Sequence, residues 1–144
     1  MKQTRRRKAP RLQIGDFQLS ILQDEYRRGW CVRYLREAKA DLRIAENARD
    51  PSLAVNMGVT GARKAQTALY YALGDPMWID PLVRAKVELE NLRTKDPVLR
   101  CLLSIERSLR GLSTLMKSME EKEVLRRVKA IIEVSEALIS LYIA

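Results

Sequence analysis

Residues 52–74 read SLAVNMGVTGARKAQTALYYALG, and this stretch decides the fold. Its only charges are Arg63 and Lys64, side by side. Met57, Gly61, Ala65, Ala68 or Leu69, and Ala72 recur at helical spacing. Gly58, Gly61, Ala62, Ala65 and Ala68 are small, so neighbouring helices can approach closely. Ser52 suits an N-cap and Gly74 is placed to end the helix. The stretch reads as a central helix packed on several sides. Charges in mid-run, at Arg63 and Lys64, argue against a transmembrane span.

Upstream, Cys31, Leu35, Ala38, Leu42 and Ala45 lie on one helical face, with Arg33, Arg36, Lys39, Arg43 and Glu46 on the others. The pattern predicts a helix over about Phe17 to Ala48, bent near Gly29 and ended by Asp50-Pro51. Downstream, Gly74-Asp75-Pro76 predicts a turn, with Met77 and Trp78 folding back as a lid on the core. Asp80-Pro81 reads as cap plus first helical residue of a short helix to about Arg93, and Asp96-Pro97 repeats the signal. Leu99, Leu102, Leu103, Leu109, Leu112 and Leu115 or Met116 then form an apolar face. Ser118 with Glu121 reads as a capping box that starts a last helix, from about Met119 to Tyr142. Its stripe is Val124 or Leu125, Val128, Ile131 or Ile132, Leu138 and Leu141.

The 144 residues suit one domain with its own core. The expected fold class is all-α: a five-helix up-and-down bundle over residues 16–144, because short links favour antiparallel neighbours. Residues 1–15 stand apart. Lys2, Arg5, Arg6, Arg7, Lys8 and Arg11 fall here without an acid, while the remaining 21 basic residues face 18 acids. The net charge of +9 is therefore mostly an N-terminal arm, read as disordered and suited to a polyanion or a membrane surface. A solubilising tail is the plainer alternative. Ala9 to Leu19 is too polar for the apolar region of a signal peptide.

The chain has no histidine. It therefore lacks the commonest general base and any Ser-His or Cys-His nucleophile pair. Cys31 and Cys101 are too few for a structural zinc site and read as free thiols of a reducing, cytoplasmic compartment. No phosphate-loop or dinucleotide motif occurs. Glu120, Glu121 and Glu123 sit where a helix N-terminus favours acids. Glu133 and Glu136 face solvent or pair with basic neighbours. The expectation is no enzyme, no metal and no cofactor. Two further basic features are candidate nucleic-acid contacts. Arg63 and Lys64 either emerge as a surface stripe or line a groove that holds a phosphate or a partner's acid. Arg126, Arg127 and Lys129 are either a solvated helix face or a second contact. Tyr26, beside Arg27 and Arg28, and Trp30 and Tyr34, beside Arg33, are candidates to stack on bases, while Trp30 and Tyr34, four apart, read equally as core.

YLREAKADLRIAENARD (Tyr34 to Asp50) and ARKAQTALYYAL (Ala62 to Leu73) resemble the first two helices of the HEPN superfamily. Asp41-Leu42-Arg43-Ile44-Ala45 matches its acid-Leu-x-x-Ala pattern, and Ala65-Gln66-Thr67-Ala68-Leu69 its Ala/Gln-rich stretch. The chain departs from it at Thr67, where a glutamate is frequent, and in lacking the His of the ribonuclease motif. The resemblance implies a non-catalytic member that binds RNA or a nucleotide, as a homodimer. The segment Leu138 to Ala144 suits that interface, or equally a buried terminal helix. The alternative is a protein-interaction subunit: an antitoxin-like partner of a nucleotidyltransferase-like protein, or a small helical subunit of a ribonucleoprotein complex.

Overall fold

A computed structural model describes residues 25–117 and 119–143. Among them every regular element is an α-helix: α1 Glu25–Asn47, α2 Pro51–Leu73, α3 Pro76–Glu88, α4 Pro97–Leu115 and α5 Glu121–Ser140. No helix among the described residues is long and apolar enough to cross a membrane.

The Asp-Pro pairs set three of the helix starts. Asp50, Asp75 and Asp96 each stand in extended conformation before a proline and accept a hydrogen bond from the second amide onward. Proline fits the first helical position because its missing N–H is not needed there. The cap of α2 is therefore Asp50 rather than Ser52, whose own amide donates to Asp50 at 3.1 Å. At α3 the same signal occurs twice in seven residues, and the chain uses the first. The helix starts at Pro76, and Pro81 lies inside it. Pro81 cannot donate to the carbonyl of Met77. Met77 is 82% exposed, where water can take that hydrogen bond. The expected Met77–Trp78 lid is thus corrected: both residues sit in the first turn of α3, and Trp78 is 69% exposed.

The α4–α5 break falls where the sequence turns polar. Glu120 is the N-cap of α5 but makes no side-chain capping bond, and Ser118 lies outside the described residues. α1 runs unbroken through Gly29, and the part expected from Phe17 to Asp24 lies outside them too.

α2 is the hub of the bundle and touches all four other helices. α1 and α5 pack on it and on each other, and α3 packs against α4. The small residues of α2 make this possible. A Cβ on Gly61 would stand 3.0 Å from the Ala38 carbonyl oxygen of α1. One on Gly58 would stand 2.7 Å from a methyl of Leu125 on α5. Burying Leu69, Leu73, Ile79, Leu102, Leu109 and Leu112 is worth roughly 1.5–3 kcal/mol for each side chain. The C-terminal segment serves this same core: Ile139 is buried, and Leu138, Tyr142 and Ile143 pack against it. Leu141, expected on the apolar stripe, is instead exposed.

Candidate functional site

Arg100, Ser104, Arg107, Ser108 and Gly111 fall at helical spacing on one side of α4. With Arg127, Ala130 and Ile131 of α5, and with Leu92 and Leu103, they line a cleft of about 600 Å³. No carboxylate is among its lining residues. Arg100 is anchored by a 3.2 Å hydrogen bond to the Thr94 carbonyl. Arg127 is steadied by Glu123 at 2.9 Å. Arg107 has neither ion pair nor hydrogen bond to the described residues. The Ser113 and Thr114 hydroxyls bond back to carbonyls one turn earlier, at 3.2 and 3.1 Å. Ser104 and Ser108 have no such bond among the described residues. Gly111 leaves the cleft open, since a Cβ there would meet nothing within 4 Å.

Why this side of α4 is wholly basic follows from where its one acid goes. Glu106 is three residues after Leu103 and three before Leu109, which puts it on the apolar face. It is fully buried. Arg63 reaches it from α2 at 2.9 Å and Arg110 from one turn along α4 at 2.9 Å. Gln66 donates to it at 2.6 Å and also to the Tyr70 hydroxyl at 3.0 Å. Burial alone would push the Glu106 carboxyl up. The hydrogen bonds from Arg110 and Gln66 and the charge of Arg63 outweigh it and hold the group below the usual carboxylate range.

A second cleft, of about 520 Å³, opens on this network between α2 and α3. Arg63, Gln66, Thr67, Tyr70, Asp80 and Arg84 line it, with Met77, Pro76 and Pro81 as its apolar wall. Arg84 Nε donates to both Asp80 oxygens, at 2.9 and 3.0 Å.

The residues singled out in the sequence thus part company. Arg127 lines the α4–α5 cleft and Arg63 the α2–α3 cleft. Lys64 lies against α1, paired with Asp41 at 3.0 Å and Glu37 at 3.4 Å. Its ammonium is held above the usual lysine range, chiefly by the hydrogen bond to Asp41. Arg126 pairs with Glu123, and Lys129 is exposed. Lys2, Arg5, Arg6, Arg7, Lys8 and Arg11 lie outside the described residues. Arg100, Arg107, Arg84, Gln66, Tyr70 and Glu106 were missed. The signal available for α4 was an acid on the apolar stripe, which leaves its exposed face to arginines.

Tyr34 and Tyr71 stack at 5.8 Å and pack on the core, and Trp30 rests against both. The Arg33 guanidinium covers the Trp30 ring at 5.0 Å. This tier closes the α1–α2 seam. Only Tyr26, 70% exposed and edge-on to Trp30, stands out from it. Lys39 of α1 pairs with Glu136 of α5. Cys31 is buried, and burial pushes its thiol up to about 11. Among the described residues, no three His, Cys, Asp or Glu side chains gather as a metal site. No protein-family model matches the chain, and neither does a curated protein or a solved structure.

Proposed function

We propose that this chain is a non-catalytic, HEPN-like up-and-down helical bundle that binds RNA by its phosphodiester backbone, as a homodimer. The observation that carries the reading is the α4–α5 cleft: three arginines on a concave surface with no carboxylate among its lining residues. Arg100 and Arg107 are two turns apart, about 10 Å along the helix, which separates them enough to hold different phosphates. Ser104 and Ser108 add hydroxyl donors between them, and backbone contacts of this kind position a nucleic acid without reading its sequence. The basic segment from Lys2 to Arg11 supplies further phosphate contacts in this reading. In this reading exposed Ile44, Leu53 and Val134, on α1, α2 and α5, are apolar contacts available to a second copy; light scattering tests this.

Fluorescence anisotropy with labelled single-stranded and duplex RNA and DNA, at two salt concentrations, tests the RNA reading. Gly111→Asp brings a carboxylate to the cleft from a position where a Cβ meets nothing within 4 Å, so the fold should stand while binding weakens at least tenfold. Arg107→Ala should lower the salt slope by about one unit, the effect of one lost phosphate contact. If wild type and Gly111→Asp bind alike, the cleft is not the contact surface. If only removal of Met1 to Gly15 matters, the N-terminal segment carries binding by itself.

A second reading is favoured by Met77, Trp78 and Leu89, which stand 82%, 69% and 78% exposed on and just after α3. Large apolar anchors of this kind mark protein interfaces. That reading makes the chain an interaction subunit, either an antitoxin-like partner or a small ribonucleoprotein subunit. It takes precedence if no nucleic acid binds at low salt.

A further inference from the structure

The α2–α3 cleft shares no lining residue with the α4–α5 cleft. Gln66 and Tyr70 line it and Glu106 stands behind them, side chains that a helical bundle does not need for packing. Gln66 and Tyr70 are each 3% exposed and Glu106 is fully buried. The three are joined through the Gln66 amide, at 2.6 Å to the carboxylate and 3.0 Å to the phenol. Buried polar groups are retained only when they are satisfied, and here two of the three, Gln66 and Glu106, hold Arg63. Arg63 Nη1 is held from two sides, at 3.0 Å by Gln66 and 2.9 Å by Glu106. Its Nε and Nη2 make no hydrogen bond to the described residues, and the side chain is 31% exposed. Across the cleft, Arg84 uses only Nε on Asp80, which leaves both of its Nη groups. The Tyr70 hydroxyl accepts from Gln66 and has no acceptor for its own proton among the described residues.

Two guanidiniums with open edges therefore face one space of about 520 Å³, the size of a small-molecule site. The charge balance is positive: Arg63, Arg84 and Arg110 share two carboxylates, Glu106 and Asp80. We infer that this cleft binds the phosphate group of a small phosphomonoester, gripped by Arg63 and Arg84 with the Tyr70 hydroxyl as a third donor. Guanidinium forks of fixed orientation match phosphate oxygens in pairs. Asp80 accepts a hydrogen bond from a hydroxyl of the rest of the molecule, and Met77 and Pro81 offer the apolar wall. A nucleoside monophosphate has all three parts. The inference does not rest on the RNA reading, because no residue of the α4–α5 cleft takes part.

The experiment is an NMR titration of the full chain that follows the arginine Nε–H signals. The probes are inorganic phosphate, adenosine 5′-monophosphate and, as control, adenosine. The Arg63 and Arg84 signals should move saturably with both phosphates and stay still with adenosine. Arg84→Gln should weaken binding at least tenfold with the thermal midpoint held, and Arg84→Lys should restore part of it. Arg107→Gln should change nothing here. The inference is overturned if the Arg63 and Arg84 signals stay fixed. It is equally overturned if Arg84→Gln binds like wild type, or if only Arg100, Arg107 and Arg127 respond.

Discussion

Glu106 is the residue on which the interior turns. A carboxylate taken wholly out of water is tolerated only when its partners replace that water, and three do so. Glu106→Gln leaves Arg63 and Arg110 facing a neutral group. Breaking a buried pair costs roughly 3–5 kcal/mol, and the low end applies because both arginines remain about a third exposed. Urea unfolding should show a loss of about 3 kcal/mol. Because the folded chain holds the Glu106 carboxyl below its ordinary range, the charged form contributes stability at neutral pH. That contribution is lost as pH falls through the folded value. Wild-type stability should therefore decline on acidification, and the gap to Glu106→Gln should narrow. A gap that stays constant to low pH would show that charge is not what Glu106 supplies.

Among the elements, α2 is the one whose side chains are set by its neighbours. Its two close approaches differ in what would have to move. At Gly58 the obstacle is the end of the flexible Leu125 side chain, whereas at Gly61 it is the Ala38 carbonyl and the Asp41 Cβ. Gly58→Ala should be near neutral, since the helix gains up to about 1 kcal/mol from replacing glycine. Gly61→Leu has to push α1 away and should cost at least about 1–3 kcal/mol, the usual range for overpacking. Thermal unfolding of the two variants checks the contrast, and equal midpoints would contradict it. α3 shows a different limit of local reading. Both Asp75-Pro76 and Asp80-Pro81 carry a helix-start signal, and no local rule ranks them. The chain starts at the first because Ile79 then joins Val83 and Val87 on the buried face. Proline inside the helix is accepted in exchange.

At the scale of the whole molecule, α2 touches every other helix, so its unfolding removes a packing partner from all four at once. Trp30 on α1 and Trp78 on α3 lie on helices whose backbones do not pack on each other. Single-tryptophan variants, Trp30→Phe and Trp78→Phe, should give coincident urea transitions by fluorescence, matching that by circular dichroism. Separate midpoints would divide the bundle into two folding units. The helices themselves were legible because a helix is a local object. Its hydrogen bonds span four residues, its caps lie within three, and the Asp-Pro pairs and apolar stripes that specify it are contiguous. The lack of histidine was as plain in the sequence as any motif. What the chain's charges do was not legible. Arg63 meets Glu106 across 43 residues and Lys39 meets Glu136 across 97. Arg63 and Lys64 are neighbours in sequence, yet successive helical residues point about 100° apart, so one faces α4 and the other α1. Local pattern alone specifies the five helices of the described residues and the small-residue spine that joins them. Which arginines are tied to a buried carboxylate and which converge on open clefts follows only from the packing of separate helices, because the partners lie far apart along the chain.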